Sequence, residues 1–103
     1  MNTLILKKPE ILIIDNTLDY IRIIKAILEK KRYLVRSASD RKGLFNALTK
    51  RLPDLILFDV AIDGSDGFEI CRTLKTDERY LTIPIIIFSA QGDSDSIINN
   101  KWI

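Results

Sequence analysis

With 103 residues, 47% of them hydrophobic and 29% charged, the chain has the length and composition of one packed soluble domain and no room for a second. Sixteen Lys and Arg against fourteen Asp and Glu leave a net charge of +2, which offers no concentrated basic face for nucleic acid, and the absence of histidine excludes Ser-His and Cys-His hydrolase chemistry and most zinc sites. The single cysteine, Cys71, forms no internal disulfide, the first apolar stretch is too short for a secretory signal, and no run reaches membrane-spanning length, so a cytoplasmic, membrane-free protein is expected.

Short unbroken apolar runs alternate with longer amphipathic ones, the pattern of parallel strands buried on both faces and joined by crossover helices, so the class is α/β. Residues 10–15 make the first strand, with Ile11, Leu12, Ile13 and Ile14 in succession and a carboxylate, Asp15, at the end. Residues 18–31 read as a helix capped by Thr17, with Ile21, Ile24, Ala26, Ile27 and Leu28 at helical spacing. The basic run Lys30, Lys31 and Arg32 at its end suits the negative pole of the helix dipole. A second strand spans 33–38, and Ser39 or Asp40 caps a helix through Arg51 with Leu44, Phe45 and Leu48 on one stripe.

The third strand, 54–59, again runs from apolar residues into a carboxylate, Asp59. A glycine-bearing loop at 62–67 precedes a helix over 68–76 with Phe68, Cys71 and Leu74 inward. Pro84 opens a fourth strand at 85–88 that leads into Ser89, and residues 97–103 supply about two helical turns. Right-handed crossovers and the rule that ligands bind at the carboxyl ends of parallel strands put Asp15, Asn16, Asp59 and Ser89 on one rim. Such a set of oxygen donors suits a hard cation, Mg²⁺ in particular. Asp and Ser also commonly end strands for structural reasons alone.

Four stretches, in order, carry a resemblance: Ile-Leu-Ile-Ile-Asp-Asn at 11–16, Pro-Asp-Leu-Ile-Leu-Phe-Asp-Val at 53–60, Asp-Gly-Phe-Glu-Ile-Cys at 66–71 and Ile-Pro-Ile-Ile-Ile-Phe-Ser-Ala at 83–90. Together they resemble the receiver domain of two-component response regulators, over nearly the whole chain. The resemblance implies a flavodoxin-like, doubly wound parallel sheet in the order 2-1-3-4, a signalling module and not a turnover enzyme. It makes Asp59 the phosphoacceptor and Ser89 the hydroxyl that hydrogen-bonds the phosphoryl group. It assigns Mg²⁺ to Asp15, Asn16, Asp59 and the backbone carbonyl of Ala61, and implies a histidine kinase or phosphotransfer protein as partner.

The departures from the family pattern also carry expectations. Asn16 stands where the family has a second acid, which weakens the cation site. Asp63 replaces a proline of the following loop, and no lysine, neither Lys75 nor Lys101, stands at the family's phosphoryl-pairing position. The chain reads as a single receiver-like domain over 1–103, cut short before the fifth strand and helix, so an open fourth-strand edge is expected to be covered by a second copy or an obligate partner, with Trp102 and Ile103 at the contact. Two other functions fit the same residues: a pseudo-receiver acting by association without phosphorylation, and a small Mg²⁺-dependent phosphohydrolase.

Overall fold

The computed structural model describes residues 8–15, 17–59 and 67–88. Four strands and three helices alternate along them: β1 (Glu10–Ile14), α1 (Leu18–Lys30), β2 (Leu34–Ala38), α2 (Arg41–Lys50), β3 (Leu55–Asp59), α3 (Gly67–Lys75) and β4 (Ile85–Phe88). The strands form one parallel sheet in the order β2-β1-β3-β4, as the sequence predicts.

Alternation along each strand divides the core between the two faces. Leu12 and Ile14 of β1, Ile56 and Phe58 of β3, and Ile85 and Ile87 of β4 pack with Leu44 and Leu48 of α2 and with Ile70, Cys71 and Leu74 of α3. The opposite face is thinner: Ile11 and Ile13 meet Ile21 of α1, with Ile24, Leu28, Val35, Leu55 and Leu57 partly buried around them. Each fully buried branched side chain contributes about 1.5–3 kcal/mol, so the α2–α3 face supplies most of the apolar stabilisation.

Local chemistry sets the boundaries. Asp40 caps α2 by accepting the Gly43 N–H at 2.7 Å. α1 ends where Arg32 takes a left-handed conformation at φ 73°, so that the Arg32 N–H reaches Glu29 O and the Tyr33 N–H reaches Leu28 O. Tyr33 is consumed by that turn and β2 starts one residue later than expected.

Three helix expectations need correction. Thr17 occupies the N-cap position of α1, but its side chain makes no capping hydrogen bond; its backbone N–H is donated to Asp15. Phe68 is 49% exposed, because the buried stripe of α3 runs through Gly67, Ile70, Cys71 and Leu74, and Phe68 lies about 100° round the helix from Gly67. Ala26 and Ile27 also face outward, and Ile21 is the one buried residue of α1.

A buried acid appears that the apolar pattern does not reveal. Glu10, at the start of β1, accepts from Arg36 Nε and Nη2 at 3.0 Å each and from Arg51 Nη2 at 2.6 Å. Arg36 also donates to the carbonyls of Ala47 and Arg51, tying the end of α2 to the sheet. Burial alone would raise the Glu10 carboxyl, but the hydrogen bonds and charges of Arg51 and Arg36 outweigh it and hold it below its ordinary value.

Candidate functional site

The parallel register sets the site. Ile14 pairs with Phe58, so Asp15 and Asp59 follow side by side at the carboxyl ends of β1 and β3; the Asp15 N–H still donates to Ala38 O at 3.1 Å, continuing the ladder. Asp15 keeps step with Ile11 and Ile13, and Asp59 with Leu55 and Leu57, so both carboxylates project to the α1 face. Both are buried, at 0% and 2% exposure.

Two acids in that position are costly unless something positive or a proton lies between them. Asp15 Oδ1 accepts the Thr17 N–H at 2.9 Å, whereas Asp15 Oδ2 is buried without a donor. Its neighbour is the Asp59 carboxyl, itself an acceptor when ionised, so the two bond each other only when one holds a proton. Burial first, then the Asp59 charge and this shared hydrogen bond, push the Asp15 carboxyl above its ordinary value against the opposing bonds from Thr17.

An orphaned carboxylate oxygen beside a second buried carboxylate fits a hard divalent cation, which would supply the missing positive charge. Two carboxylates do not complete a coordination shell, and among the described residues no cluster of three or more His, Cys, Asp or Glu is present. The remaining expected ligands, Asn16 and the Ala61 carbonyl, lie outside the described residues, as do Ser89, Asp63, Lys101, Trp102, Ile103, residues 62–66 of the expected 62–67 loop and the tail expected at 97–103; Gly67, expected in that loop, is instead the first residue of α3.

Sequence reasoning missed the walls of this site. Phe88 pairs in register with Asp59, and its ring stacks with that of Tyr20 from the first turn of α1, at 6.1 Å between centroids and 28° between planes. The signal was available for Phe88: two-residue alternation from Ile86 puts it on the face opposite Ile85 and Ile87. Elsewhere, a cleft of about 310 Å³ lined by Lys8, Pro9, Glu10, Leu34, Arg51, Leu52 and Asp54 lies at the amino ends of the strands. The carboxylates there are already engaged, Glu10 by arginines and Asp54 by the Glu10 N–H.

Comparison with known proteins gives the same assignment. A family model described as the response regulator receiver domain matches residues 11–101. The chain is 32% identical over 92 residues to sporulation initiation phosphotransferase F of Bacillus subtilis, covering 89% of this chain and 73% of that protein. It is 36% identical over 88 residues to the response regulator PleD of Caulobacter vibrioides, covering 84% of this chain but spanning only 19% of that protein. Among solved structures, the signal receiver domain of a signal transduction histidine kinase from Syntrophus aciditrophicus superposes with a TM-score of 0.75 at 30% identity, covering 87% of this chain and 68% of that one. Among the described residues, no helix is long and apolar enough to cross a membrane. Strand order, the paired acids at the carboxyl rim and these matches agree, and the chain belongs to the response regulator receiver domain family.

Proposed function

We propose that the chain is a phosphoacceptor module of a two-component relay, with Asp59 as the residue that takes the phosphoryl group. The observation that carries this reading is the buried pair of Asp15 and Asp59, side by side at the carboxyl rim with one orphaned oxygen. An Asp59 carboxylate oxygen forms a bond to phosphorus, the phosphorus–nitrogen bond of a phosphohistidine on a kinase or phosphotransfer partner breaks, and the imidazole leaves with the electron pair. Asp15 and Asp59, with Asn16 and the Ala61 carbonyl, are the residues that would hold Mg²⁺, and Ser89 is the hydroxyl that would hydrogen-bond the phosphoryl group. A bound divalent cation offsets the charge that gathers on the transferring oxygens. The Thr17 N–H keeps Asp15 turned to the rim. The module accepts and passes on a group and does not turn over substrate.

Intact-mass measurement after incubation with a small-molecule phosphodonor and Mg²⁺ tests this. One added phosphoryl group, absent in Asp59→Asn, is expected. A folded protein that gains none favours the pseudo-receiver, to which Asn16, in place of the family's second acid, already lends support.

Association belongs to either reading. Ile23 and Ile27 of α1 are 58% and 52% exposed, on the same flank of the helix as Tyr20, whose ring reaches Phe88 on the half-buried α1 side of β4. We infer that a second copy or an obligate partner covers this face and the β4 edge. Sedimentation of the isolated chain should show a dimer at micromolar concentration, and a strictly monomeric chain would exclude the homodimer.

A further inference from the structure

Asp15, Asp59 and Phe88 stand in one row across three strand ends, all on the α1 face, and Tyr20 stacks on the last of them. Asp59 thus has a like charge on one side and an aromatic wall on the other. Two ionised carboxylates repel, and the relief open to a side chain of one rotatable χ1 bond is to turn away from its neighbour. For Asp59, turning from Asp15 means turning toward β4, where its register partner Phe88 lies on the same face with the Tyr20 ring stacked on it.

We propose that Tyr20 is a positioning residue for the carboxylate pair: its ring, stacked on Phe88, closes the β4 side of Asp59 and holds that carboxylate against Asp15. This rests on the reading of Asp15 and Asp59 as the cation and phosphoryl site, and adds to it a residue of α1 that touches neither ligand nor phosphoryl group. The brace supplies pre-organisation. Without it Asp59 samples wells in which the pair is open, and apparent cation affinity falls by the fraction of time the pair is closed. Three staggered wells, with repulsion disfavouring the closed one, give a weakening of about three- to tenfold. The ring is the working part, since the hydroxyl of Tyr20 plays no role in the stack.

Titration of the metal-free, full chain with Mn²⁺, followed by calorimetry, separates the possibilities. Wild type should bind one ion saturably, and Asp59→Asn should lose that site. Tyr20→Ala should bind about three- to tenfold more weakly. Tyr20→Phe, which keeps the ring, should stay within about twofold of wild type. Wild-type affinity in Tyr20→Ala, or equal weakening in Tyr20→Ala and Tyr20→Phe, overturns the brace while leaving the site reading standing. No saturable binding in wild type removes the site reading and the brace together. Tyr20 is 36% exposed, and circular dichroism checks that Tyr20→Ala folds; if it does not, Tyr20→Leu keeps an apolar contact without the planar ring and carries the same expected loss.

Discussion

Glu10 opens β1 and Asp15 follows its last residue, both as buried acids, yet their surroundings push them in opposite directions. Glu10 has two guanidinium partners and a lowered carboxyl, so it contributes stability that is present above its unfolded value, near 4.5, and lost as pH falls through the folded one. Glu10→Gln should therefore cost about 2 kcal/mol at neutral pH in urea denaturation, with the difference from wild type shrinking in acid. Asp15 is raised, so the folded state holds its proton more tightly than the unfolded chain does. Its contribution is present below the unfolded value and is lost as pH rises through the folded one. Asp15→Asn should accordingly stabilise the cation-free protein by about 1–2 kcal/mol at neutral pH while abolishing stabilisation by Mg²⁺. A less stable Asp15→Asn protein would show that the acid is already compensated.

At the scale of elements, helix ends give the sharpest expectations. Arg32 sits at φ 73°, where a side chain is strained and glycine is not, so Arg32→Gly should raise stability by about 1 kcal/mol. Asp40→Ala removes the Gly43 N–H acceptor and should cost about 1 kcal/mol. Thermal or urea unfolding reads both. All seven elements were legible in the chain because the apolar runs of β1, β3 and β4 are unbroken and the helices are amphipathic; the boundaries moved by a residue or two where turn chemistry took over, as at Tyr33. Phe68 and Ile27 were misassigned for one reason: a large apolar residue next to the buried stripe looks like part of it until the helix phase is fixed by what the helix packs against.

For the molecule as a whole, two acids at consecutive strand ends were readable because an apolar run ending in Asp, met twice, places both at one rim of a parallel sheet. The row from Asp15 through Asp59 to Phe88, and the Tyr20 ring upon it, depend on inter-strand register and on how α1 crosses the sheet, neither of which is encoded in local pattern. The Glu10, Arg36 and Arg51 cluster joins three segments separated by 15 to 41 residues, beyond the reach of periodicity. Because the rim gathers negative charge, Mg²⁺ should raise the midpoint of thermal unfolding in proportion to its occupancy, and should not do so in Asp59→Asn. The central claim, that Asp59 is the phosphoacceptor, is tested most directly by locating the acyl phosphate. Borohydride reduction of the phosphorylated chain followed by peptide mass mapping should convert Asp59 alone to homoserine. Conversion at Asp15 or Asp63, or a folded chain with no convertible residue, would contradict it.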